Sequence, residues 1–421
     1  MKEKVELKRS ISLPLLTFYG LGTILGAGIY VLIGEVVAEA GMQAPLSFLV
    51  AALLAVFTAL SYAELSARFP RSAGEAVYLQ EAFHHRGWSL LMGLMVIIVG
   101  SVSSAALANG FVGYTQLLIE LLAQQDGAGM VSLVVNLPAW LIIVVLVLGL
   151  GLIAAWGITA SVWAASIITL VEIGGLLLIV VVAGDSLQDL PARWGEITSL
   201  SSDGSGLAIL AGGFLAFYAF VGFEDMVNVA EEVKEPKRNL PRGIILALII
   251  ASLLYFIIAL VSVLSVPVKE LAGNTAPLAR VYSHATGESP ILISMISMIA
   301  VINGALIQII MASRVLYGLS WQGWLPEWLS YVHPARQTPL FATLCVVILI
   351  LVLALWLPLV TLVKVTSLIT LLVFALVNLS LWRVKRHDRH PAGIMVFPLW
   401  VPISGFVVSS AFVLFQLYIV F

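Results

Sequence analysis

The sequence predicts an all-α polytopic membrane protein. Of its 421 residues, 61% are hydrophobic and only 10% are charged, whereas soluble domains carry roughly 25% charged residues. The apolar runs are about 20 residues long and do not alternate with polar positions, which favours helices over the strands of a barrel. Helices and closed β-barrels are the only structures that can span lipid, because every backbone polar group there needs a hydrogen-bond partner within the protein.

About eleven transmembrane helices are predicted, each bounded by charges or by Pro and Gly turn signals. They cover residues 11–37, 43–67, 88–121, 138–156, 160–184, 206–231, 241–266, 290–320, 339–357, 360–383 and 399–421. The two longest segments between them, 184–205 and 267–289, are expected to be loops on the outside.

The distribution of basic residues predicts a cytoplasmic N-terminus. With that orientation, seventeen of the 21 Lys and Arg residues fall in cytoplasmic segments, and only Arg193, Lys269 and Arg280 fall outside. A cell membrane (inner or plasma) is the expected location. The basic residues are scattered over several short loops, so no nucleic-acid partner is expected.

Two of the predicted spans are rich in glycine at corresponding places. Span 1 carries Gly20, Gly22, Gly26 and Gly28, and span 6 carries Gly212, Gly213 and Gly222. The two spans have opposite predicted orientations, and interrupted helices at matching positions of inverted halves point to a binding site at the midplane. Glycine also occurs where membrane helices pack closely, and Gly22 and Gly26 fit that spacing. The coincidence of the two spans favours broken helices.

A broken helix frees backbone groups that lipid cannot satisfy, so these groups must face a cavity or a ligand. The freed N–H groups and the positive end of a helix dipole attract an anion such as a carboxylate. The freed carbonyl groups attract an ammonium group or Na⁺. A site that offers both suits a zwitterion.

Four stretches resemble the amino acid–polyamine–organocation (APC) superfamily. Residues 22–30 (GTILGAGIY) resemble its first-helix signature, and residues 61–65 and 69–78 (SYAEL, FPRSAGEAVY) resemble the loop after helix 2. Residues 220–224 and 230–242 (FVGFE, AEEVKEPKRNLPR) resemble helix 6 and its cytoplasmic exit. Residues 312–317 and 323–326 (ASRVLY, GWLP) resemble the end of helix 8 and the following loop. The helix 6 exit is similar to that of bacterial relatives of cationic amino acid transporters.

The resemblance implies a five-plus-five inverted-repeat (LeuT-like) transporter fold with broken helices 1 and 6. The chain would form one membrane transporter domain, with a first repeat at about 11–184, a second repeat at about 206–386 and an extra C-terminal helix at about 399–421. The implied activity is secondary active transport of an amino acid by alternating access, with proton-coupled uptake as the expected mode.

The resemblance also implies a substrate site on the two broken helices. The substrate carboxylate would meet the backbone N–H groups of Gly26, Ala27 and Gly28, with Thr23 adding a hydroxyl group. The ammonium group would meet the carbonyl groups of Ala219, Phe220 and Val221, where helix 6 unwinds before Gly222. Tyr218 matches the family's bulky helix 6 aromatic residue, which covers the substrate as a gate; packing is the alternative role.

Helix 3 carries small polar residues in an otherwise apolar span. Ser101, Ser103, Ser104 and Asn109 either line the side-chain pocket or form hydrogen bonds between helices. Of these, Ser101 and Ser104 are taken as substrate-binding candidates. Asn303 and Gln308 in span 8 present the same two alternatives.

Glu172 lies near the middle of span 5, where an ionisable residue is costly and therefore a functional candidate. Many proteins that resemble this stretch have a lysine there, whose ammonium group can occupy the position of a coupling sodium. A carboxylate reverses that charge and can bind a proton or a cation. Glu172 is therefore a candidate coupling site, and a protonated structural glutamate is the alternative.

Glu224 directly follows the predicted helix 6 break and is a second candidate for proton coupling, or for favouring a cationic substrate. Asp225, Glu231 and Glu232 approach the cytoplasmic end. We expect them to be solvated or paired with nearby Lys and Arg residues.

Several other classes are not supported by the sequence. It contains no phosphate-binding GxxxxGK[ST] loop, no Cys/His cluster with metal-site spacing and no catalytic triad, so an ATP-driven pump or an enzyme is not expected. No cofactor is expected, and the coupling ion is H⁺ or Na⁺. An exchanger, a polyamine carrier and a non-transporting amino acid sensor stay open as alternatives. Membrane lipid and an amino acid are the expected partners, and the oligomeric state is not predicted.

Overall fold

A computed structural model describes residues 9–25, 28–71, 74–126, 137–156, 162–199, 205–333, 338–389 and 391–420. The described residues are almost entirely helical and form no strand; one isolated parallel bridge pairs Ile11 with Val233. The prediction of an all-α polytopic membrane protein is confirmed.

Among the described residues, the first half of the chain contains eight α-helices. They are α1 (Leu13–Leu25), α2 (Gly28–Ala40), α3 (Ala44–Arg68), α4 (Gly74–Phe83), α5 (Arg86–Asp126), α6 (Ala139–Trp156), α7 (Val162–Val182) and α8 (Leu190–Thr198). Short 3₁₀ segments at Gly41–Gln43 and Gly184–Asp189 connect α2 to α3 and α7 to α8.

The second half contains eight more. They are α9 (Ser205–Phe217), α10 (Pro236–Ser265), α11 (Val268–Leu271), α12 (Pro277–Thr286), α13 (Ile291–Trp321), α14 (Leu340–Trp356), α15 (Leu359–His387) and α16 (Trp400–Val420). Between α9 and α10 lie two 3₁₀ segments, Tyr218–Phe220 and Phe223–Glu232, and a third follows α13 at Glu327–Ser330.

Seven helical stretches among the described residues are long and apolar enough to cross a membrane. An eighth is counted if the bent pair Ser166–Val182 and Gly184–Thr198 forms one span, and three further apolar helices are shorter. The count of eleven spans and the five-plus-five repeat stay predictions.

The two segments expected to be loops contain helix. Residues 184–198 form a 3₁₀ turn and α8, and residues 268–286 contain α11 and α12. Local signals explain both: Pro191 and Pro277 stand in the first turns of α8 and α12, where proline is tolerated, and Gly287 ends α12 in the left-handed conformation. The hydropathy pattern missed them because these helices are short and polar on one face.

The beginning of helix 1 is tied to the end of the helix 6 region. The N–H groups of Ser10 and Ile11 donate to the carbonyl of Glu232 at 2.9 and 3.0 Å, and the N–H of Lys234 donates to the carbonyl of Ile11 at 2.9 Å. These bonds satisfy backbone groups outside the helices. The two glycine-rich regions are therefore connected by main chain as well as by packing.

A buried ion pair anchors the C-terminal helix. The Lys385 ammonium group lies 2.7 Å from Glu64 Oε2, and Arg68 lies 2.7 Å from Glu64 Oε1. Lys385 also donates to the carbonyl of Phe397, and the N–H of Phe397 donates to Glu64. The segment leading into α16 is thereby fastened to α3 and α15 by charged hydrogen bonds, which are stronger than neutral ones.

Candidate functional site

The helix 6 region is broken where the glycine pattern predicted. The α-helix ends at Phe217, a 3₁₀ turn covers Tyr218–Phe220, and Val221 is extended at φ −62° and ψ 130°. Gly222 then takes φ +127°, a conformation that L side chains rarely adopt. The chain resumes as the ten-residue 3₁₀ segment Phe223–Glu232, which is unusually long for that geometry.

In the helix 1 region, α1 ends at Leu25 and α2 begins at Gly28. The predicted carboxylate ligands Gly26 and Ala27 lie outside the described residues. Gly28, the third of that set, is buried at the first residue of α2.

The two regions touch each other through glycine on both sides. A Cβ atom added to Gly28 would lie 2.6 Å from Cβ of Ala219, and one added to Gly222 would lie 2.7 Å from the carbonyl carbon of Thr23. Both distances are far below van der Waals contact. Each region therefore packs against the backbone of the other at a position where only glycine fits.

Tyr255 of α10 joins the same two regions by hydrogen bonds. Its hydroxyl oxygen lies 2.7 Å from the carbonyl of Ile24 and 2.8 Å from the carbonyl of Ala219. The Tyr255 ring is fully buried and packs edge-on against Phe220, with 5.1 Å between ring centroids. One carbonyl group from each region therefore accepts from the same hydroxyl group, and that hydroxyl group belongs to a fully buried residue.

A small cavity lies beside this contact. It is lined by Thr23, Ile24, Gly28, Ser103, Leu107, Tyr218, Val221, Gly304, Ile307 and Gln308. Its free volume is about 20 Å³, enough for a water molecule. Four of the predicted site residues, Thr23, Gly28, Tyr218 and Val221, meet there although helices 1 and 6 are far apart in the sequence.

Tyr218 crosses this cavity to helix 3. Its hydroxyl group lies 3.0 Å from both the hydroxyl and the carbonyl oxygen of Ser103. Ser101 instead donates to Ile97 within its own helix, and Ser104 donates to the carbonyl of Ala305 on α13. Ser103 is therefore the helix 3 serine on the cavity wall, while the other two make bonds within or between helices.

The predicted ammonium ligands lie on the broken part of helix 6. All three carbonyl groups belong to buried residues, and that of Ala219 already accepts the Tyr255 hydroxyl. The N–H of Gly222 is also engaged, since it donates to Glu224 Oε2 at 2.9 Å. The contact of Ala219, Phe220 and Val221 with an ammonium group stays a prediction.

Glu172 is completely buried on α7. Its Oε1 accepts a hydrogen bond from Asn303 of α13 at 3.1 Å, and its Oε2 has no partner. The Tyr30 hydroxyl of α2 donates to its backbone carbonyl at 2.5 Å. One turn earlier, Thr169 packs against Gly22 so closely that a Cβ there would collide with its hydroxyl group. Glu172 therefore faces helix 1 and carries an oxygen that lacks a ligand.

Asp225 is not solvated as expected. It is only 2% exposed, and its Oδ2 accepts from Gln308 at 3.3 Å. The break at Gly222 redirects the chain, so that the first turn of the 3₁₀ segment places Glu224 and Asp225 inside the helix bundle. The expectation grouped Asp225 with Glu231 and Glu232 near the cytoplasmic end, whereas Asp225 comes in the first turn after the break and is enclosed there.

Several residues of the site were missed. Leu107, Gly304 and Ile307 carry no signal beyond helical hydropathy, so nothing distinguished them from packing residues. Tyr255 offered a weak signal, because its hydroxyl group in the middle of an apolar span needs a buried acceptor. The described residues contain no group of three or more His, Cys, Asp or Glu that could hold a metal ion.

This arrangement of broken helix, buried cavity and intramembrane acid is typical of helical membrane transporters. The profile of the amino acid permease family matches residues 11–421, so the chain belongs to that family. This match confirms the resemblance to the APC superfamily.

Individual proteins that are similar to this chain carry the names of transporters or permeases. The chain is 30% identical over 396 residues to cationic amino acid transporter 3, mitochondrial, of Arabidopsis thaliana, covering 90% of this chain and 63% of that protein. It is 29% identical over 416 residues to the branched-chain amino acid permease BcaP of Bacillus subtilis, covering 93% and 86%. It is 28% identical to the methylthioribose transporter of Bacillus subtilis, covering 92% and 83%. The chain thus spans less than two thirds of the length of the Arabidopsis relative.

The glycine contact generates a first prediction. Gly222→Ala forces a side chain into the Thr23 backbone at positive φ, and we expect it to destabilise the protein by about 3 kcal/mol. The control is Gly174→Ala in α7, where a Cβ meets nothing within 4 Å; there alanine should stabilise by about 0.5–1 kcal/mol. Thermal unfolding of both purified variants measures the difference, and equal midpoints would contradict the contact.

The Tyr255 hydroxyl generates a second prediction. Tyr255→Phe leaves two buried carbonyl groups without their shared donor, at a cost of about 1–3 kcal/mol. Tyr317→Phe on the partly exposed face of α13 is the matched control and should change stability by less than about 0.5 kcal/mol. The same thermal measurement applies, and a Tyr255→Phe protein as stable as the control would rule out the bridge.

Proposed function

We propose that the protein is a secondary active amino acid transporter that works by alternating access. The observation that carries the proposal is the meeting of the two glycine-rich helix regions, which pack against each other beside one buried cavity. Membership of the amino acid permease family supports the class of substrate, and so do the names of the Bacillus and Arabidopsis relatives.

The proposed substrate is a neutral amino acid. The first residue of α2, Gly28, borders the cavity, and a helix N-terminus favours a carboxylate. The broken part of helix 6 offers carbonyl groups to the ammonium group. The remaining wall is mostly apolar, with Leu107, Ile307 and Val221, and none of the lining residues is charged. A neutral, apolar substrate side chain therefore suits it better than a basic one.

Transport requires this cavity to open. Pockets that enclose small molecules commonly measure about 300 Å³ or more, whereas the free volume here is about 20 Å³. Tyr218 and its bond to Ser103 stand across the space, so this bond is the proposed gate contact. Breaking it would let the helix 6 segment move away from helix 3 and admit the substrate.

We propose that protons drive uptake and that Glu172 carries the coupling proton, with Glu224 as a second participant. Glu172 is buried without a cationic partner among the described residues, and such a carboxyl group is favoured in its protonated form. Its unpartnered Oε2 and its position against helix 1 suit a group that loses its proton as the site rearranges. Na⁺ at the same place is the competing choice.

The proposed location is a cell membrane, with the N-terminus in the cytoplasm. The structure gathers several basic residues of the proposed cytoplasmic side, including Arg68, Lys237 and Arg383, around one cavity of about 420 Å³ at an end of the bundle. This grouping supports the positive-inside argument.

The proposal is tested by uptake of single labelled amino acids into proteoliposomes that contain the purified protein. Uptake is compared with and without an inward proton gradient in sodium-free buffer. We expect saturable, gradient-stimulated uptake of one or a few neutral amino acids. Absence of uptake, both in net flux and in exchange from preloaded vesicles, would reject the transporter.

Glu172→Gln tests the coupling. We expect the amide to abolish stimulation by the proton gradient, while exchange of substrate between preloaded vesicles continues. Glu120→Gln on the exposed face of α5 is the control and should behave as wild type. If gradient stimulation and its pH dependence survive in Glu172→Gln, Glu172 is not the coupling residue.

A further inference from the structure

A second small cavity adjoins the proposed substrate cavity. It is lined by Glu75, Val96, Val99, Glu224, Asp225, Gln308, Met311, Thr370 and Val373, and its free volume is about 20 Å³. Gln308 borders both cavities. The Gln308 side chain is therefore part of the wall of both the second cavity and the proposed substrate cavity.

Three carboxyl groups line this second cavity, and they come from two parts of the chain. Glu224 and Asp225 follow the helix 6 break, whereas Glu75 lies in the first turn of α4, between the spans formed by α3 and α5. Their exposed fractions are 5% for Glu75, 9% for Glu224 and 2% for Asp225. Among the described residues, no Lys, Arg or His pairs with any of them.

Each carboxyl group accepts a hydrogen bond from a neutral donor. The Tyr62 hydroxyl lies 3.3 Å from Glu75 Oε1, the N–H of Gly222 donates to Glu224, and Gln308 donates to Asp225. The α4 helix also packs directly on the 3₁₀ segment, since a Cβ at Gly74 would lie 2.5 Å from Cγ2 of Val227. This packing places Glu75 of α4 beside the helix 6 region.

Two buried acceptor atoms that lack a hydrogen-bond partner also line this cavity. Gln308 Oε1 and Thr370 Oγ1 both belong to residues that line the cavity, are at least nine-tenths buried and lack any hydrogen-bond partner. Buried polar groups normally have partners, because leaving one unmade costs roughly 1–3 kcal/mol. The hydrogen of a protonated carboxyl group is a donor that these acceptors can take.

Electrostatic repulsion limits how many of the three carboxyl groups can be ionised at once. The three carboxyl groups are close enough to repel one another, and no metal-binding group of residues is found in the described chain. Carboxylates so placed in an apolar surrounding cannot all be ionised. The backbone N–H of Gly222 donates to Glu224 and stabilises its anion when that group is ionised.

We propose that Glu75, Glu224 and Asp225 form a proton-holding cluster at the helix 6 break, and that Glu75 is the member that exchanges its proton with water. This proposal rests on the transport function proposed above, which it extends by a second proton site. Gln308 connects the cluster to the substrate cavity. Movement of the helix 6 segment changes the hydrogen bond between Gln308 and Asp225. This change alters how firmly the cluster binds its protons.

Glu75 suits this role because α4 lies outside the membrane spans. Burial raises the pKa of Glu75 to about 7, an effect partly offset by hydrogen bonds from the backbone and from Tyr62. The other titratable or polar groups that face the cluster are Tyr19, Tyr62, Tyr78, Gln308 and Thr370. Glu232 and Arg314 interact electrostatically with Tyr19. Among the described residues, none of the three carboxyl groups forms an ion pair with a cation.

The test uses infrared difference spectra of the purified full-length protein in lipid nanodiscs, recorded across a pH step from about 6 to about 8. The wild type should lose absorption of protonated carboxyl groups, and Glu75→Gln should lack one component of that change. Glu81→Gln, on the same helix but partly exposed, should keep the full change. Equal amplitudes in Glu75→Gln and wild type would overturn the proposal.

Tyr62→Phe supplies an independent variant. Removing the hydroxyl that stabilises the Glu75 anion should raise the pKa of Glu75, so that its infrared component disappears at higher pH than in the wild type. An unchanged midpoint would contradict the contact on which the cluster depends.

Stability gives a further readout with a defined sign. Folded Glu75 keeps its proton up to about pH 7, compared with 4.5 for the free group. The contribution of Glu75 to the free energy of unfolding is therefore fully present below about pH 4.5, and it is lost as the pH rises through about 7. Glu75→Gln mimics the protonated form and should show a smaller fall in unfolding temperature over this range, whereas an identical fall would count against Glu75.

These measurements do not require transport. If the wild type takes up no amino acid but the carboxyl signal is lost in Glu75→Gln, the proposed function fails and the proton cluster stands. If uptake is normal and the signal is unaffected by Glu75→Gln, the transporter stands and the cluster is rejected.

Discussion

The structure depends on the contact between the two glycine-rich helix regions. A chain that leaves the α-helical path inside a membrane exposes peptide groups that lipid cannot satisfy. Here the helix 6 break lies against the backbone around Thr23, and Gly28 lies against Ala219. The Tyr255 hydroxyl then supplies a donor to a carbonyl from each side. The irregular backbone is tolerated because each region shields the other.

The same contact creates the cavity. Because both sides approach without side chains, Tyr218 can extend across the remaining space to Ser103, and little free volume is left. The protein is therefore held closed by a few specific bonds rather than by extensive polar pairing. Such bonds are weak enough to be exchanged for contacts with a substrate, which is what the proposed alternation between two states requires.

Among the described residues, buried carboxyl groups surround this closed centre without cations to neutralise them. Glu172 contacts Asn303 on one side, and Glu224 and Asp225 lie beyond the break on the other. By contrast, Glu64 is paired with Lys385 and Arg68 and serves to anchor the C-terminal helix. The difference in partners separates this structural acid from the acids that we propose to exchange protons, although Glu64 and Glu172 are both fully buried.

The sequence by itself determined the class of the fold. Its composition leaves only membrane helices, and Gly222 and the residues around it identified a break, because hydropathy and glycine conformation are local properties. It also identified Thr23, Gly28 and Tyr218, which do meet at one cavity. Only the tertiary structure decided that Ser103 rather than Ser101 faces that cavity, that Asp225 is buried, and that Glu75 lies beside Glu224. These depend on how helices rotate and pack against distant partners, and a one-residue turn about a helix axis changes which side chain points inward.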